Sequence, residues 1–115
     1  MKYVMLIMDT PKGLQQYETN KEWFAEVGAW YEKMAASGKL ADSGVQLQPT
    51  STAKTVRSTG VTDGPYIETK EVVGGFSVLD VPTYDEAVEI AKTWPGVERG
   101  WITIELRPIQ EFEQG

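Results

Sequence analysis

Residues 2–8, KYVMLIM, are the segment that most restricts how this chain can fold. In an extended strand, side chains alternate between two faces. Here both faces are apolar, with one formed by Tyr3, Met5 and Ile7 and the other by Val4, Leu6 and Met8. Leaving either face in water would forgo the free energy of apolar burial. The segment therefore predicts a strand in a sheet that is covered on both sides.

The segment 19–38 has the pattern of an amphipathic helix. Thr19 and Glu22 match a capping box, in which the two side chains bond free amides of the first turn. Gly38 stands where a glycine ends many helices. Apolar residues repeat at helical spacing, namely Trp23, Val27, Trp30 and Met34. This spacing favours a core role for the two tryptophans and leaves ligand stacking as the alternative.

A second helix is predicted to begin at Thr83, directly after Pro82. Thr83 and Glu86 form another capping box, and the helix is expected to stop at Pro95-Gly96. Its apolar set is Tyr84, Ala87, Val88, Ala91 and Trp94. An apolar stripe of this kind lets a helix cover one face of a sheet.

Extended segments occupy most of the remaining chain. They alternate and are rich in β-formers, and the expected strands cover residues 39–48, 53–58, 66–70, 72–80 and 101–108. Together with the first strand they give the order β-α-β, an inserted hairpin, then β-α-β. This order predicts a single domain, residues 1–115, with an α+β, ferredoxin-like βαββαβ fold and both helices on one face of an antiparallel sheet.

The second face of this sheet needs another cover. In the last strand Ile102, Ile104 and Leu106 share one face, which would place Trp101 on the side without helices. Two helices cover one face only, and stable monomers seldom keep a large exposed apolar patch. The sequence therefore predicts a homodimer in which two copies pack sheet against sheet, with Trp101 at the interface.

Charge and residue types limit the chemistry. The chain has 115 residues, 17 acidic and 11 basic, and its net charge of −6 argues against nucleic acid or an anionic membrane as a partner. It contains no cysteine and no histidine, which excludes thiolate, imidazole and the usual Cys/His zinc chemistry. Its apolar runs are shorter than the ~20 residues that cross a bilayer. We expect a cytoplasmic protein without a metal or cofactor.

The stretch 62–71, TDGPYIETKE, holds most of the residue types still available for chemistry. Asp63-Gly64 is a common turn dipeptide, and it predicts a tight turn that folds this stretch against the preceding strand. The residues that follow are expected to be extended, so that one face carries an aromatic, an acid and a base, namely Tyr66, Glu68 and Lys70. This geometry indicates a polar pocket beside the sheet.

The functional interpretation assigns roles in that pocket. Asp63 and Glu68 would act as general acid or base, with a pKa raised by burial. A glycine pair would allow close approach of a ligand. The residues expected to hold an anionic or phenolic ligand are Arg57, Tyr66, Lys70, Gly74 and Gly75. The segment 9–18 has the composition of a pocket lid.

A purely structural interpretation explains the same residues. Asp63 and Glu68 would then pair across strands with Arg57 and Lys70, and the glycine pair would form a β-bulge. Both interpretations remain open on the sequence. A metal site is disfavoured, because carboxylates at this spacing match no known calcium loop.

The same stretch carries a resemblance to a known family. Residues 63–76, DGPYIETKEVVGGF, are similar to the DGPFAETKE-type signature of the YCII-related, or DGPF-domain, proteins. The resemblance extends over nearly the whole chain through KYVMLIM (2–8), LQPTSTAKTVRSTG (47–60), DEAVEIA (85–91) and IELRP (104–108). Several separate blocks in the right order make this a specific marker of the family.

The resemblance implies the dimeric α/β-barrel version of the ferredoxin-like fold. The family is largely uncharacterised, and some members occur beside sigma factors of the extracytoplasmic-function type. Relatives in the wider group include a dehydrochlorinase-like enzyme, and a His–Asp pair has been proposed as their active site. This chain has no histidine, so that pair cannot be carried over, and Tyr66 stands where the signature has phenylalanine.

Two functions are consistent with these observations. The first is a dimeric module that binds a small ligand or a protein partner without catalysis. The second is an isomerase- or lyase-like enzyme that uses carboxylate acid–base chemistry on a small acidic or phenolic compound. The lack of histidine and cysteine favours the first, because carboxylates need unusual burial to act near neutral pH.

Overall fold

The computed structural model describes residues 1–17, 19–67 and 69–112. Within these ranges the elements follow in the order β1 (Lys2–Asp9), α1 (Pro11–Leu14), α2 (Lys21–Ser37), β2 (Leu40–Gln46), β3 (Lys54–Arg57), β4 (Gly60–Asp63), β5 (Val72–Asp80), α3 (Tyr84–Lys92) and β6 (Ile102–Pro108). A short 3-10 turn, Thr50–Thr52, precedes β3. None of the helices in these ranges is long and apolar enough to cross a membrane.

The four longest strands form one antiparallel sheet in the order β2-β5-β1-β6. The strands β3 and β4 form a separate two-stranded hairpin, inserted between β2 and β5. The helices α2 and α3 make the two crossover connections of the sheet and share one hydrophobic core with it. This arrangement is the ferredoxin-like α+β fold, so the fold class predicted from the sequence is confirmed.

The helix-covered face of the sheet holds the core. β1 alternates as predicted, with Tyr3, Met5 and Ile7 buried on this face and the intervening side chains half-buried on the other. Both tryptophans favoured as core residues lie there. The buried cluster comprises Tyr3, Met5, Ile7, Trp23, Trp30, Met34, Leu79, Val81, Ala87, Ala91, Trp94 and Ile102.

The opposite face of the sheet is apolar at its centre. β1 and β5 pair there, and the half-buried side chains that form this open face are Val4, Leu6, Met8, Phe76 and Val78. The molecule is flat, with extents of 49 × 41 × 19 Å.

Trp101 lies on the helix side, so its predicted place on the open face is wrong. Its ring packs edge-on against Trp23 of α2, with 5.2 Å between the ring centroids. Trp101 precedes β6 and stands in a turn closed by its own amide, which donates to Gly96 O at 3.0 Å. The side-chain alternation of β6 begins only at Ile102 and does not determine where Trp101 points.

The two long helices begin with caps of different kinds. The hydroxyl oxygen of Thr83 accepts a hydrogen bond from a first-turn amide of α3 at 3.2 Å, as predicted. In α2 the carboxamide of Asn20, and not Thr19, accepts from Trp23 N at 3.0 Å, so the predicted start is wrong by one residue. Both residue types suit this position, which is why the sequence alone did not separate them. Gly38 ends α2 with a φ of 75°, as predicted.

The hairpin turns at Ser58-Thr59, so the turn predicted at Asp63-Gly64 is misplaced. Arg57 pairs with Gly60 across this two-residue turn. In β3 and β4, next to this turn, β-branched residues pair with each other across the strands. This pairing favours a hairpin that turns at Ser58-Thr59 over one that turns at Asp63-Gly64. Asp63-Gly64 instead ends β4.

The strand predicted over residues 66–70 is also wrong. Tyr66 and Ile67 lie in an irregular segment that links the hairpin to β5, and Lys70 lies in a bend just before that strand. Glu68 falls outside the residues that the structure describes. The shared strand face on which the predicted pocket depended is therefore not formed by the described part of this segment.

Candidate functional site

A cavity of about 230 Å³ lies between α2, the edge strand β2 and the central strands β1 and β5. Its walls are largely aromatic and aliphatic. The aromatic members are Tyr17, Trp23, Phe24, Tyr31 and Trp94. A cavity of about 150 Å³ holds a benzene molecule, so this one has room for a small organic compound.

The periodicity of the elements explains which side chains reach the cavity. Trp23, Val27 and Tyr31 are spaced four residues apart and share one face of α2. Strand alternation likewise turns Ile7 and Asp9 of β1 toward the helix side. Asp9 is thus an acidic residue at the end of a strand face that is otherwise apolar.

Asp9 and Tyr17 form a polar end of the cavity. The Tyr17 hydroxyl donates a hydrogen bond to Asp9 Oδ1 at 2.5 Å. Desolvation raises the pKa of the half-buried Asp9 carboxyl above 3.8, while the bond from Tyr17 acts in the opposite direction. Burial and the neighbouring carboxylate raise the pKa of Tyr17 as well. Tyr17 therefore stays protonated and serves as the donor to Asp9.

A chain of hydrogen bonds forms a second polar part of the wall. Trp94 Nε1 donates to the Tyr31 hydroxyl oxygen at 3.3 Å, and that hydroxyl lies 2.7 Å from Ser77 Oγ. Ser77 in turn donates to Ser43 O at 2.8 Å. Because Ser77 uses its hydrogen on Ser43, Tyr31 donates to Ser77, and both hydroxyl hydrogens are occupied within the protein.

Two glycines of β5 make room in the cavity wall. Gly74 is the extra residue of a β-bulge between β1 and β5, so the structural interpretation of the glycine pair as a bulge is confirmed. A Cβ atom on Gly74 would collide with Asp9 Oδ2, and one on Gly75 would lie 2.5 Å from Val45 O. The absence of a side chain thus lets the Asp9 carboxylate approach Gly74 closely and the backbone of β2 approach Gly75. Their contact with a ligand stays a prediction.

The hairpin and the segment after it carry the other residues that the sequence singled out. Asp63 is exposed and forms a salt bridge with Lys54 at 2.7 Å. Arg57 donates to Tyr66 O at 3.4 Å, and its guanidinium carbon lies 5.4 Å from the centroid of the Tyr66 ring. Lys70 is exposed. The structure brings Arg57 and Tyr66 together but places none of these four residues in the cavity wall.

The expected convergence of charges on one cavity is therefore not seen among the described residues. Asp63 pairs with Lys54, not with Arg57 or Lys70. Tyr66 instead lines a shallow groove of about 340 Å³ beside Met8, at the border of the open face. Glu68 lies outside the described residues. The acid–base roles of Asp63 and Glu68, and the ligand-binding roles of Arg57, Tyr66 and Lys70, stay predictions.

Sequence reasoning missed Asp9 and Tyr17. Both lie in the segment 9–18, whose composition indicated a pocket lid, so part of the signal was available. The stronger signal was the position of Asp9 on the buried face of β1, where a carboxylate is withdrawn from water. No group of three or more acidic side chains among the described residues is placed to hold a metal ion.

Comparison with known proteins agrees with the resemblance of the sequence blocks. The family model of the YCII-related domain matches residues 1–113. An uncharacterized protein of Rhizobium meliloti (strain 1021) is 31% identical over 102 residues, which cover 85% of this chain and 82% of that protein.

A solved structure of similar fold is that of 5-chloro-2-hydroxyhydroquinone dehydrochlorinase from Burkholderia phenoliruptrix AC1100, in complex with 2,5-dihydroxybenzoquinone. The TM-score is 0.61, and the match covers 97% of this chain and 96% of that one. Sequence identity is 17%, so this likeness shows the fold alone.

Proposed function

This chain belongs to the YCII-related family, and we propose that it binds a small organic molecule in the cavity between α2 and the sheet. The observation that carries the proposal is the half-buried carboxylate of Asp9 at the end of a cavity with aromatic walls. Sites for small molecules are commonly apolar cavities with a few polar groups that orient the ligand. About 230 Å³ is enough for one substituted aromatic ring.

The cavity offers a ligand apolar contact and one strong acceptor. Asp9 Oδ1 accepts from Tyr17, and a carboxylate has capacity for further hydrogen bonds. A phenol hydroxyl would donate to Asp9 while its ring packs against the apolar walls. The phenolic class expected from the sequence therefore stays in the proposal. The complex of the dehydrochlorinase with 2,5-dihydroxybenzoquinone supports it.

A second candidate function is acid–base catalysis in the same cavity. It is favoured by the raised pKa of the Asp9 carboxyl, because a group poised closer to neutral pH exchanges protons more effectively. Asp9, with Tyr17 as its hydrogen-bond donor, would move a proton in an isomerase- or lyase-like reaction of a phenolic compound. Asp63 would serve such chemistry only outside this cavity, since it is exposed and paired with Lys54. The role predicted for Glu68, which lies outside the described residues, stays a prediction.

The proposal includes a homodimer formed through the open face. One chain leaves Val4, Leu6 and Phe76 half-buried there, and a second copy would complete the burial that the two-sided β1 requires. The cytoplasmic location expected from the sequence stays part of the proposal. Light scattering at micromolar concentration should give twice the 12.8 kDa of one chain. The mass of one chain would contradict the dimer and leave ligand binding untouched.

Ligand binding is tested by NMR titration of the protein with phenol. Two variants carry the same substitution: Val27→Phe fills the cavity, and Val56→Phe adds equal bulk on the exposed hairpin. We expect phenol to shift amide signals of the cavity residues in the native protein and in Val56→Phe, but not in Val27→Phe. Circular dichroism checks that both variants are folded. Equal shifts in all three proteins, or none in the native one, would overturn the proposal.

A further inference from the structure

We infer that the cavity selects its ligand by charge and takes an organic cation of the protonated-amine class, with Asp9 as the counter-charge. The inference rests on the proposed function, because it names the class of molecule that the same cavity prefers. Binding as such requires only a hydrogen-bond donor for Asp9, whereas the inference requires that the donor carry a positive charge.

Asp9 has no cationic partner within the described chain. Its hydrogen bond comes from the neutral hydroxyl of Tyr17, and the salt bridges among the described residues all join other side chains or the amino terminus. No lysine or arginine of the described ranges lines the cavity. A half-buried carboxylate without a counter-charge is unfavourable, and a cationic ligand would compensate it.

The rings beside Asp9 favour a cation as well. Tyr17 packs against Trp23 and Phe24, with 5.4 Å and 5.7 Å between the ring centroids. The faces of aromatic rings attract ammonium groups through their quadrupole, and clusters of such rings bind organic ammonium ions in many proteins. The aliphatic side chains of Ile7 and Val27 suit the carbon body of an amine. The carboxylate and the rings thus select for the same ligand class.

An anion of the same size finds no counter-charge in this cavity. Asp9 would repel it, and the Tyr17 hydroxyl is already bonded to Asp9. The hydroxyl hydrogens of Tyr31 and Ser77 are occupied in the chain that ends at Ser43 O. The net charge of −6 repels anions at long range and attracts cations. The anionic ligand considered from the sequence is therefore disfavoured here.

Three ligands of nearly equal size separate charge from shape: benzylamine, which is protonated at neutral pH, benzyl alcohol and benzoate. Their affinities are measured by NMR titration at neutral pH and low ionic strength. We expect benzylamine to bind about tenfold more tightly than benzyl alcohol. Benzoate should bind most weakly.

Two variants locate the origin of the preference. In Asp9→Asn the ratio of the benzylamine and benzyl alcohol affinities should fall severalfold, because the counter-charge is lost and only the weaker attraction of the aromatic rings remains. Glu32→Gln removes an equal charge from the exposed side of α2, and its ratio should remain that of the native protein. Adding salt should reduce the ratio less than Asp9→Asn does, since the partly buried pair is screened incompletely.

Each contrary outcome has its own meaning. Equal affinities for benzylamine and benzyl alcohol in the native protein would overturn charge selection and leave the proposed binding function intact. A preference that is undiminished in Asp9→Asn would overturn it too, because the Asp9 carboxylate would then not act as the counter-charge. Binding of none of the three ligands would overturn the proposed function, and the inference with it.

Discussion

The cavity and the hairpin differ both in how distinctive their sequences are and in how deeply their side chains are buried. The hairpin adjoins the most distinctive run of the sequence, yet Val56 and Val61 on one of its faces are 76% and 61% exposed, and Asp63 is paired at the surface. The cavity is lined mainly by residues that look like ordinary core, with Asp9 as its one charged side chain within the described chain. A side chain acquires unusual chemistry where the fold withdraws it from water, not where the sequence looks unusual.

The same difference indicates where stability resides. α2 and β1 bury large side chains in one core, whereas a two-stranded hairpin has little stability of its own in water. Substitutions in the cavity wall and in the hairpin should therefore differ in their effect on the free energy of unfolding.

The largest effect is expected from Trp23→Ala. Trp23 is 1% exposed, and its Nε1 donates to Pro95 O at 3.0 Å, so its removal should lower the free energy of unfolding by roughly 3–5 kcal/mol. The matched change Val56→Ala should stay within about 0.5 kcal/mol. Urea unfolding measures both. Losses of similar size would contradict the difference in burial between the cavity and the hairpin, and would indicate that Val56 is buried in a dimer.

A smaller effect, dependent on pH, is expected from Asp9→Asn. Desolvation raises the pKa of the Asp9 carboxyl above 3.8, so the folded protein binds this proton more tightly than the unfolded chain does. The contribution of Asp9 to the free energy of unfolding therefore falls as the pH rises through the interval between 3.8 and the folded pKa. Above that interval the full cost of burying the charged carboxylate is present. Removing the charge should stabilise the protein at neutral pH, and the gain should vanish below pH 3.8.

Urea unfolding of both proteins across the acidic range measures this gain. Tyr17, whose own pKa is raised, stays protonated throughout that range and donates to either side chain. The exposed variant Glu32→Gln is the control for loss of one charge and should show no comparable gain. If Asp9→Asn were less stable than the native protein at neutral pH, the charge would strengthen the Tyr17 hydrogen bond by more than its desolvation costs.

The smallest effect is expected from the salt bridge of the hairpin. Lys54 and Asp63 are 2.7 Å apart but exposed, so a double-mutant cycle with alanine at both positions should give a coupling of about 0.2–1 kcal/mol. The coupling should shrink in high salt, because water and ions screen exposed charges. A coupling well above ~1 kcal/mol that resists salt would indicate that the hairpin is buried against another surface.

Local patterns account for the elements that were predicted correctly and for those that were not. β1, the start of α3 and the end of α2 follow from periodicity and from Thr83 and Gly38, whose preferences have no close competitor. α3 ends at Lys92, before the stop predicted at Pro95-Gly96. The start of α2 was misplaced because Thr19 and Asn20 are neighbouring residues with similar capping ability. The turn was misplaced because strand pairing prevailed over the local preference of Asp63-Gly64.

The candidate site was less predictable than the fold. Gly74 and Gly75 were singled out from the sequence and do lie in the cavity wall. Asp9 and Tyr17 were not, although both belong to the segment whose composition indicated a lid. Nothing in their local sequence marks them as partners, because the bond between them depends on how the segment folds back under α2.

The α+β class, the family and the two-sided apolar character of β1 could be predicted before the fold was known, since these depend on periodicity and on ordered blocks along the chain. The site, in contrast, depends on how the elements pack in three dimensions. Asp9 of β1 meets Gly74 of β5 and Tyr31 of α2 around one cavity only when the sheet takes the order β2-β5-β1-β6 and α2 covers it. Desolvation of Asp9 is the sum of contributions from neighbours far apart in the chain, so the alternation of β1 indicates the face on which Asp9 lies but not how far it is withdrawn from water.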